Sequence, residues 1–163
     1  MCGIIGISSN KSVSASIINS LKKLEYRGYD SAGIATLSEG EINEVKSEGR
    51  VDSLEKNFDL KNLKGNIGIG HVRWATHGVP NSVNAHPHSS YNVSVVHNGI
   101  IENSTILKKH LISKGHNFKS QTDTEVIVHL ITENLKTSEL ENAITKTLKQ
   151  LNGSFALGIV FKD

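Results

Sequence analysis

Strand-like and helix-like stretches come in runs along this chain, and that order constrains its fold more than any single motif. A short apolar stretch, Cys2 to Ser8, reads as a buried strand. From Val13 to about Tyr26 the residues Ile17, Ile18, Leu21 and Leu24 fall at helical spacing, and Gly28 stops the run. Ser31–Leu37 and Ile42–Lys46 flank the turn signal Glu39-Gly40 and read as a hairpin. Val51–Phe58 suits a short helix, and Asn66–Thr76 starts with the alternation Ile67, Ile69 and Val72 of a strand. Val93–His97 is another strand, followed at once by Asn98-Gly99. Helices are then expected in succession. The first is capped by Asn103 and runs to about Lys114 on Ile106, Leu107 and Leu111, with Gly115 as its stop. The second follows a capping box, Thr122 to Glu125, and buries Val126, Ile127, Leu130, Ile131 and Leu135. The third follows Ser138–Glu141, uses Ile144, Leu148 and Leu151, and ends at Gly153. Phe155–Phe161 is apolar almost throughout and reads as a strand that is buried on both faces or central. Strands and helices segregated in this way give an α+β fold, with helices packed on mostly antiparallel sheets.

One segment has neither period. Arg73 to Pro80, continued by Asn84 to His88, holds both prolines, the only tryptophan and three of the eight histidines. It reads as a long loop, a common carrier of function. The histidines raise a metal, but His71, His77, His86, His88 and His97, with or without Asp123, match no zinc-ligand spacing, so no metal or other cofactor is expected.

The only cysteine stands at position 2. If Met1 is removed, one residue carries both a thiol and a free α-amine. The amine titrates near pH 8 and can serve as base for the thiol, so Cys2 can act as a self-activated nucleophile. Read alone, the plainer role is a small apolar residue that happens to be free. Attack on a carbonyl needs oxyanion donors. Asn98 and Gly99 can supply a side-chain amide and a backbone N–H, although Asn-Gly is also a common turn dipeptide. Arg73 and Asp123 can grip the two charges of an amino acid, although a surface ion pair and a helix cap are the plainer roles.

The net charge of +2 on 163 residues gives no reason for a nucleic-acid or membrane partner. A lone cysteine forms no internal disulfide, and no apolar stretch reaches the ~20 residues of a membrane span. Cytoplasmic residence is the expectation.

Several blocks resemble one family together. These are Cys2-Gly3-Ile4-Ile5-Gly6, Tyr26-Arg27-Gly28-Tyr29-Asp30-Ser31-Ala32-Gly33, Arg73-Trp74-Ala75-Thr76-His77-Gly78, Asn84-Ala85-His86-Pro87-His88, His97-Asn98-Gly99 and Thr122-Asp123-Thr124-Glu125. They resemble the class II glutamine amidotransferases, whose glutaminase domains are N-terminal nucleophile hydrolases. Within that class they are more similar to the branch that aminates fructose 6-phosphate than to the purine-pathway branch. The resemblance implies a four-layer α-β-β-α sandwich, L-glutamine as substrate, and ammonia passed to fructose 6-phosphate bound by further domains. It implies Cys2 as nucleophile, Asn98 and Gly99 as the oxyanion site, and Arg27 as the residue that orients the terminus. Arg73 would hold the glutamine carboxylate and Asp123 its ammonium. Thr76 and His77 would line the pocket on a closing loop, Trp74 would shield it, and His86 and His97 would lie beside it. The family's glutaminase domain is longer than this chain, so residues 1–163 are expected to be an incomplete domain with open sheet edges. A glutamine-binding piece without turnover, or an amidotransferase serving another acceptor, are the alternatives.

Overall fold

The computed structural model describes residues 1–162. In chain order the elements are β1 (Gly3–Ser8), α1 (Ser14–Leu24), β2 (Ser31–Ser38), β3 (Glu41–Glu48), α2 (Val51–Asn57), β4 (Ile67–Arg73), β5 (His88–Ser90), β6 (Val93–Ile101), α3 (Ser104–Ser113), α4 (Glu125–Leu135), α5 (Leu140–Gln150) and β7 (Gly153–Phe161). The strands form two antiparallel sheets, ordered β1-β4-β2-β3 and β5-β6-β7.

Side-chain alternation along each strand creates three packed interfaces. On β2, Ala32 and Ile34 face outward and meet Ile17 and Leu21 of α1 and Val51 and Leu54 of α2. On the opposite side of the same sheet, Ala35 and Ile69 meet Val96 and Val160 of the second sheet. The outer face of that second sheet, with Val93, Val95 and Ile101, packs on Leu111, Ile127, Leu130 and Ile131. Each fully buried side chain of this size contributes about 1.5–3 kcal/mol. The layers are therefore α-β-β-α, as the family resemblance implies.

Register places the functional end. Gly3 pairs with Val72, and Ser31 pairs with Arg73. The residues just before β1, at the end of β4 and at the start of β2 therefore meet at one edge of the first sheet.

Several local expectations change. β6 does not stop at His97 but runs through Asn98-Gly99 to Ile101, because those residues pair with Ala156 and Phe155 of β7. The dipeptide is thus strand, not turn. β7 is at the edge of its sheet among the described residues, although its side chains face both layers. Ile106 is 71% exposed. Ile106 and Leu107 are about 100° apart on the helix, and Leu107 shares the inner face with Leu111. Asn103 makes no cap. Its side chain donates to the Gln150 carbonyl (2.8 Å) and accepts from the Asn152 N–H (3.0 Å), tying the start of α3 to the α5–β7 link. The Thr122–Glu125 capping box is absent, because Thr122 bonds His88 and Glu125 turns back to Lys119 and Ser120. Ser138 accepts from Lys146 Nζ instead of capping α5. On α5 the buried residues are Ala143 and Thr147, leaving Leu148 38% exposed. Thr147 lies close against α4, where it accepts from Asn134 Nδ2 at 3.0 Å.

Candidate active site

Cys2 is fixed by the strand that follows it and by two outside contacts. Arg27 Nε donates to its carbonyl (3.0 Å), and the Trp74 N–H donates to Sγ (3.4 Å). The thiol also lies 3.6 Å from the Trp74 carbonyl. Burial pushes the thiol upward, while the Trp74 backbone contact, the N-terminal ammonium and Arg73 pull it down. The segment carrying Arg27 is itself anchored, since the Glu25 carboxylate accepts the Val51 N–H at the start of α2 (2.6 Å).

The chain then crosses the end of β4 at very close range. A Cβ on Gly28 would lie 2.5 Å from the Arg73 carbonyl carbon and 2.7 Å from the Trp74 nitrogen, so only glycine fits. Two residues on, the Asp30 N–H donates to the Arg73 carbonyl (3.2 Å), and the Asp30 carboxylate accepts the Ala75 N–H. Residues 25–30 thus clamp Cys2 and the start of the 74–80 loop together.

Arg73 is buried, and its guanidinium donates to the carbonyls of His77, Gly78 (3.3 Å) and Val79 (3.4 Å). The loop wraps round the cation with neutral dipoles. A carboxylate arriving there exchanges them for charge-assisted bonds. Burial lowers the arginine, against Asp30, Cys2 and Asp123, which raise it.

The opposite wall comes from the second sheet. Asp123 accepts the Ile101 N–H at 2.8 Å, which leaves its other oxygen free of any protein hydrogen bond among the described residues. Thr124 Oγ1 bridges His86 Nε2 (2.7 Å) and His97 Nδ1 (2.9 Å), a hydroxyl able to donate to at most one of the two rings. His71 Nε2–H donates to the His97 carbonyl (2.9 Å), and its ring stacks on His86 with centroids 4.1 Å apart.

These histidines are held neutral by burial, which pushes His71 and His88 down to about 3 and His86 well below its ordinary value. The unfolded chain takes up protons below about pH 6.5 that the folded rings refuse. Stability is therefore full above that pH and falls as pH drops toward 3, by on the order of a few kcal/mol. Glu125 adds to the fall only below the ordinary carboxylate range. Burial raises it, but the nearby His129 ring and bonds from Lys119 and Ser120 hold it down at about 2. Urea midpoints measured at stepped pH from 7.5 to 4.5 are expected to decline steadily; a flat series would contradict the neutral buried rings.

Cys2, Arg73, Trp74, Thr76, His77 and His86 line one side of a cavity, and His97, Gly99, Asp123 and its flanking threonines line the other. Its volume is about 20 Å³, room for about one water and too small for an amino acid with its walls in these positions. Trp74 stands 48% exposed on that loop, edge-on to Tyr29. A larger hollow of about 610 Å³, edged by Tyr91, Thr132, Leu135 and Phe161, is lined by no cysteine or histidine. Nine of the eleven residues singled out in the sequence thus converge. Arg27 acts from outside through the Cys2 carbonyl, and Asn98 sits one residue from Gly99 on β6 without lining the cavity. Sequence reasoning missed Asp30, Thr122 and Thr124. Their signal was adjacency to Ser31 and Asp123 inside the quoted blocks. Among the described residues, no three His, Cys, Asp or Glu side chains form a group that could hold a metal ion, and no helix is long and apolar enough to cross a membrane.

A family model described as a glutamine amidotransferase domain matches residues 71–163. The chain is 55% identical to the glutamine–fructose-6-phosphate aminotransferase (isomerizing) of Pyrococcus horikoshii, over all of this chain and 28% of that protein. It is 52% identical to the protein of the same name from Mesorhizobium japonicum, over 99% of this chain and 27% of that one. The chain therefore spans only about a quarter of the length of these relatives. The structure superposes on a glutamine phosphoribosylpyrophosphate amidotransferase from Bacillus subtilis with a TM-score of 0.84 and 32% identity, covering 99% of this chain and 35% of that one. The α-β-β-α sandwich is thus the fold of N-terminal nucleophile hydrolase amidotransferase domains.

Proposed function

Because this chain belongs to the glutamine amidotransferase family, we propose that it releases ammonia from L-glutamine through a thioester on Cys2. One observation carries the reading. A thiol, a buried guanidinium, a carboxylate with a free oxygen and the Gly99 backbone face one cavity. In this reading Met1 has been removed; it is 78% exposed, open to a processing enzyme. The Cys2 amine takes the thiol proton, and Sγ attacks the side-chain amide carbon. Charge then builds on the carbonyl oxygen, beside Gly99 and Asn98. The C–N bond breaks as the amine returns its proton to the leaving nitrogen, giving ammonia and a γ-glutamyl thioester. Water adds to the thioester, the amine takes its proton, and the C–S bond breaks to give glutamate and the free thiol.

Arg73 holds the glutamine carboxylate, replacing the loop carbonyls that now surround it, and Asp123 holds the ammonium. Thr76, His77 and Trp74 close over the bound substrate, and His86 and His97 shape the floor through Thr124. Arg27 orients the terminus. Residues 1–163 serve as a glutaminase domain, and fructose 6-phosphate, bound by other domains, receives the ammonia. The names and identities of the relatives support that acceptor.

The test is a glutamine titration with ammonia and glutamate both measured. The two products are expected in equal amounts. Arg73→Ala is expected to raise KM for glutamine on the order of a hundredfold, from loss of a two-bond charge-assisted grip. A variant with the parent KM would remove Arg73 from the substrate site.

A further inference from the structure

Glu125 opens α4 two residues after Asp123, yet its carboxylate points back into the preceding loop. It accepts the Lys119 N–H (2.8 Å), the Ser120 N–H (2.7 Å) and Ser120 Oγ–H (2.7 Å). The segment from 119 to 125 is closed on this one side chain, and Asp123 and Thr124 lie inside the closed segment. Glu125 does not line the cavity at Cys2. Whatever it does to the site, it does through those two residues.

Behind Glu125 stands a pair of rings that the proposed chemistry does not use. One helical turn on, His129 Nε2 lies 3.6 Å from Glu125 Oε1. His129 Nδ1 lies 3.1 Å from His116 Nδ1, and His116 Nε2–H donates to Glu133 (2.9 Å). The other groups facing the pair are Lys114 and Lys136 on Glu133, Phe118 against the His129 ring with Lys108 over its far side, and His88, which reaches Glu125 through Thr122 and Ser120. A hydrogen bond between two ring nitrogens holds one proton. If both rings carry protons on both nitrogens, two imidazolium N–H groups face each other at 3.1 Å. The rings then repel, and the charged His129 is driven against Glu125, where it competes with the loop donors for the carboxylate.

We propose that Glu125, backed by the His129–His116 pair, is a positioning residue for Asp123, and that full protonation of the pair weakens the grip on the glutamine ammonium. This rests on the reading of Asp123 given above. Glu125 neutralised still fills its space but accepts three bonds poorly, so the loop loosens and binding suffers before turnover does. Acid acts on the same loop from the other end, by driving the rings apart.

The experiment is calorimetric titration of L-glutamine into the Cys2→Ala protein at about pH 8 and about pH 5.5. Adding Glu125→Gln is expected to weaken binding roughly tenfold at both pH values. Adding His116→Gln is expected to leave binding at pH 8 unchanged and to reduce the loss on acidification, because the remaining ring has no like-charged neighbour. In the Cys2 enzyme, Glu125→Gln is expected to raise KM while kcat stays within about twofold, since Glu125 does not touch the reacting atoms. Parent affinity in the Glu125→Gln protein, or an acid loss unchanged by His116→Gln, would overturn the proposal and leave the assignment of Asp123 standing. If the Cys2→Ala protein itself binds no glutamine, the functional reading fails and takes the proposal with it. Should Glu125→Gln not fold, the His116→Gln comparison decides alone.

Discussion

Replacing Cys2 by alanine is expected to abolish ammonia release, by at least about 10⁴-fold, while glutamine still binds within about threefold of the parent affinity. The split follows from where the groups sit. Arg73 and Asp123, which take the two ends of the amino acid, are held by their own networks and do not depend on Sγ. The sulfur's protein contacts are with the Trp74 backbone, and that chain is also fixed by Asp30 and by the β1–β4 pairing. Removing the sulfur therefore deletes the nucleophile and little else. Cys2→Ser keeps the shape but has a much poorer nucleophile at neutral pH, so it is expected to bind normally and turn over only weakly. Ammonia release and calorimetry on the same preparations check both halves. A Cys2→Ala protein with undiminished ammonia release would end the mechanism.

The second large effect is structural. Gly99→Ala is expected to lower stability by about 3–5 kcal/mol, combining a strained backbone with overpacking. Gly99 has φ of 148°, in a region that L side chains rarely adopt. A Cβ there would overlap the Ser154 carbonyl oxygen and sit 2.8 Å from Phe155 Cα, both on the neighbouring strand. Nothing at that spot is a flexible side chain that can turn away. The strand must shift, and with it the backbone that faces Cys2. A melting point lower by about 10 °C is expected for a chain of this size, with activity lost in whatever fraction remains folded. A Gly99→Ala protein that melts with the parent would show that β6 does not pass β7 as described.

Much of the framework was legible because apolar period and layer are directly linked. The hairpin β2–β3 followed from alternation around Glu39-Gly40, and α1 from four apolar residues at helical spacing. What failed were signals that name a residue type without naming its partner. Asn103, Thr122 and Ser138 each look like helix caps, but other groups claim them, namely the Gln150 carbonyl and Asn152 N–H, the His88 ring, and the Lys146 ammonium. Asn98-Gly99 looks like a turn because glycine permits unusual backbone angles. Here that freedom serves a strand pressed against its neighbour.

The site divides the same way. Cys2, Arg73 and Asp123 stood out as chemistry-bearing residues in the sequence and do line one cavity. The clamp of Gly28 and Asp30 on the 73–75 backbone was not legible, because it depends on backbone atoms brought together by sheet register. Nor was the bridging role of Thr124, which needs His86 and His97 to arrive from two different strands or loops.

The most direct test of the Cys2 account is the intact mass of the protein before and after exposure to a γ-diazo-ketone analogue of glutamine. The expected result is a parent lacking Met1, a gain of one analogue residue with loss of dinitrogen, and that gain absent from the Cys2→Ala protein. An adduct that persists in Cys2→Ala, or a processed parent that takes up none, would contradict it.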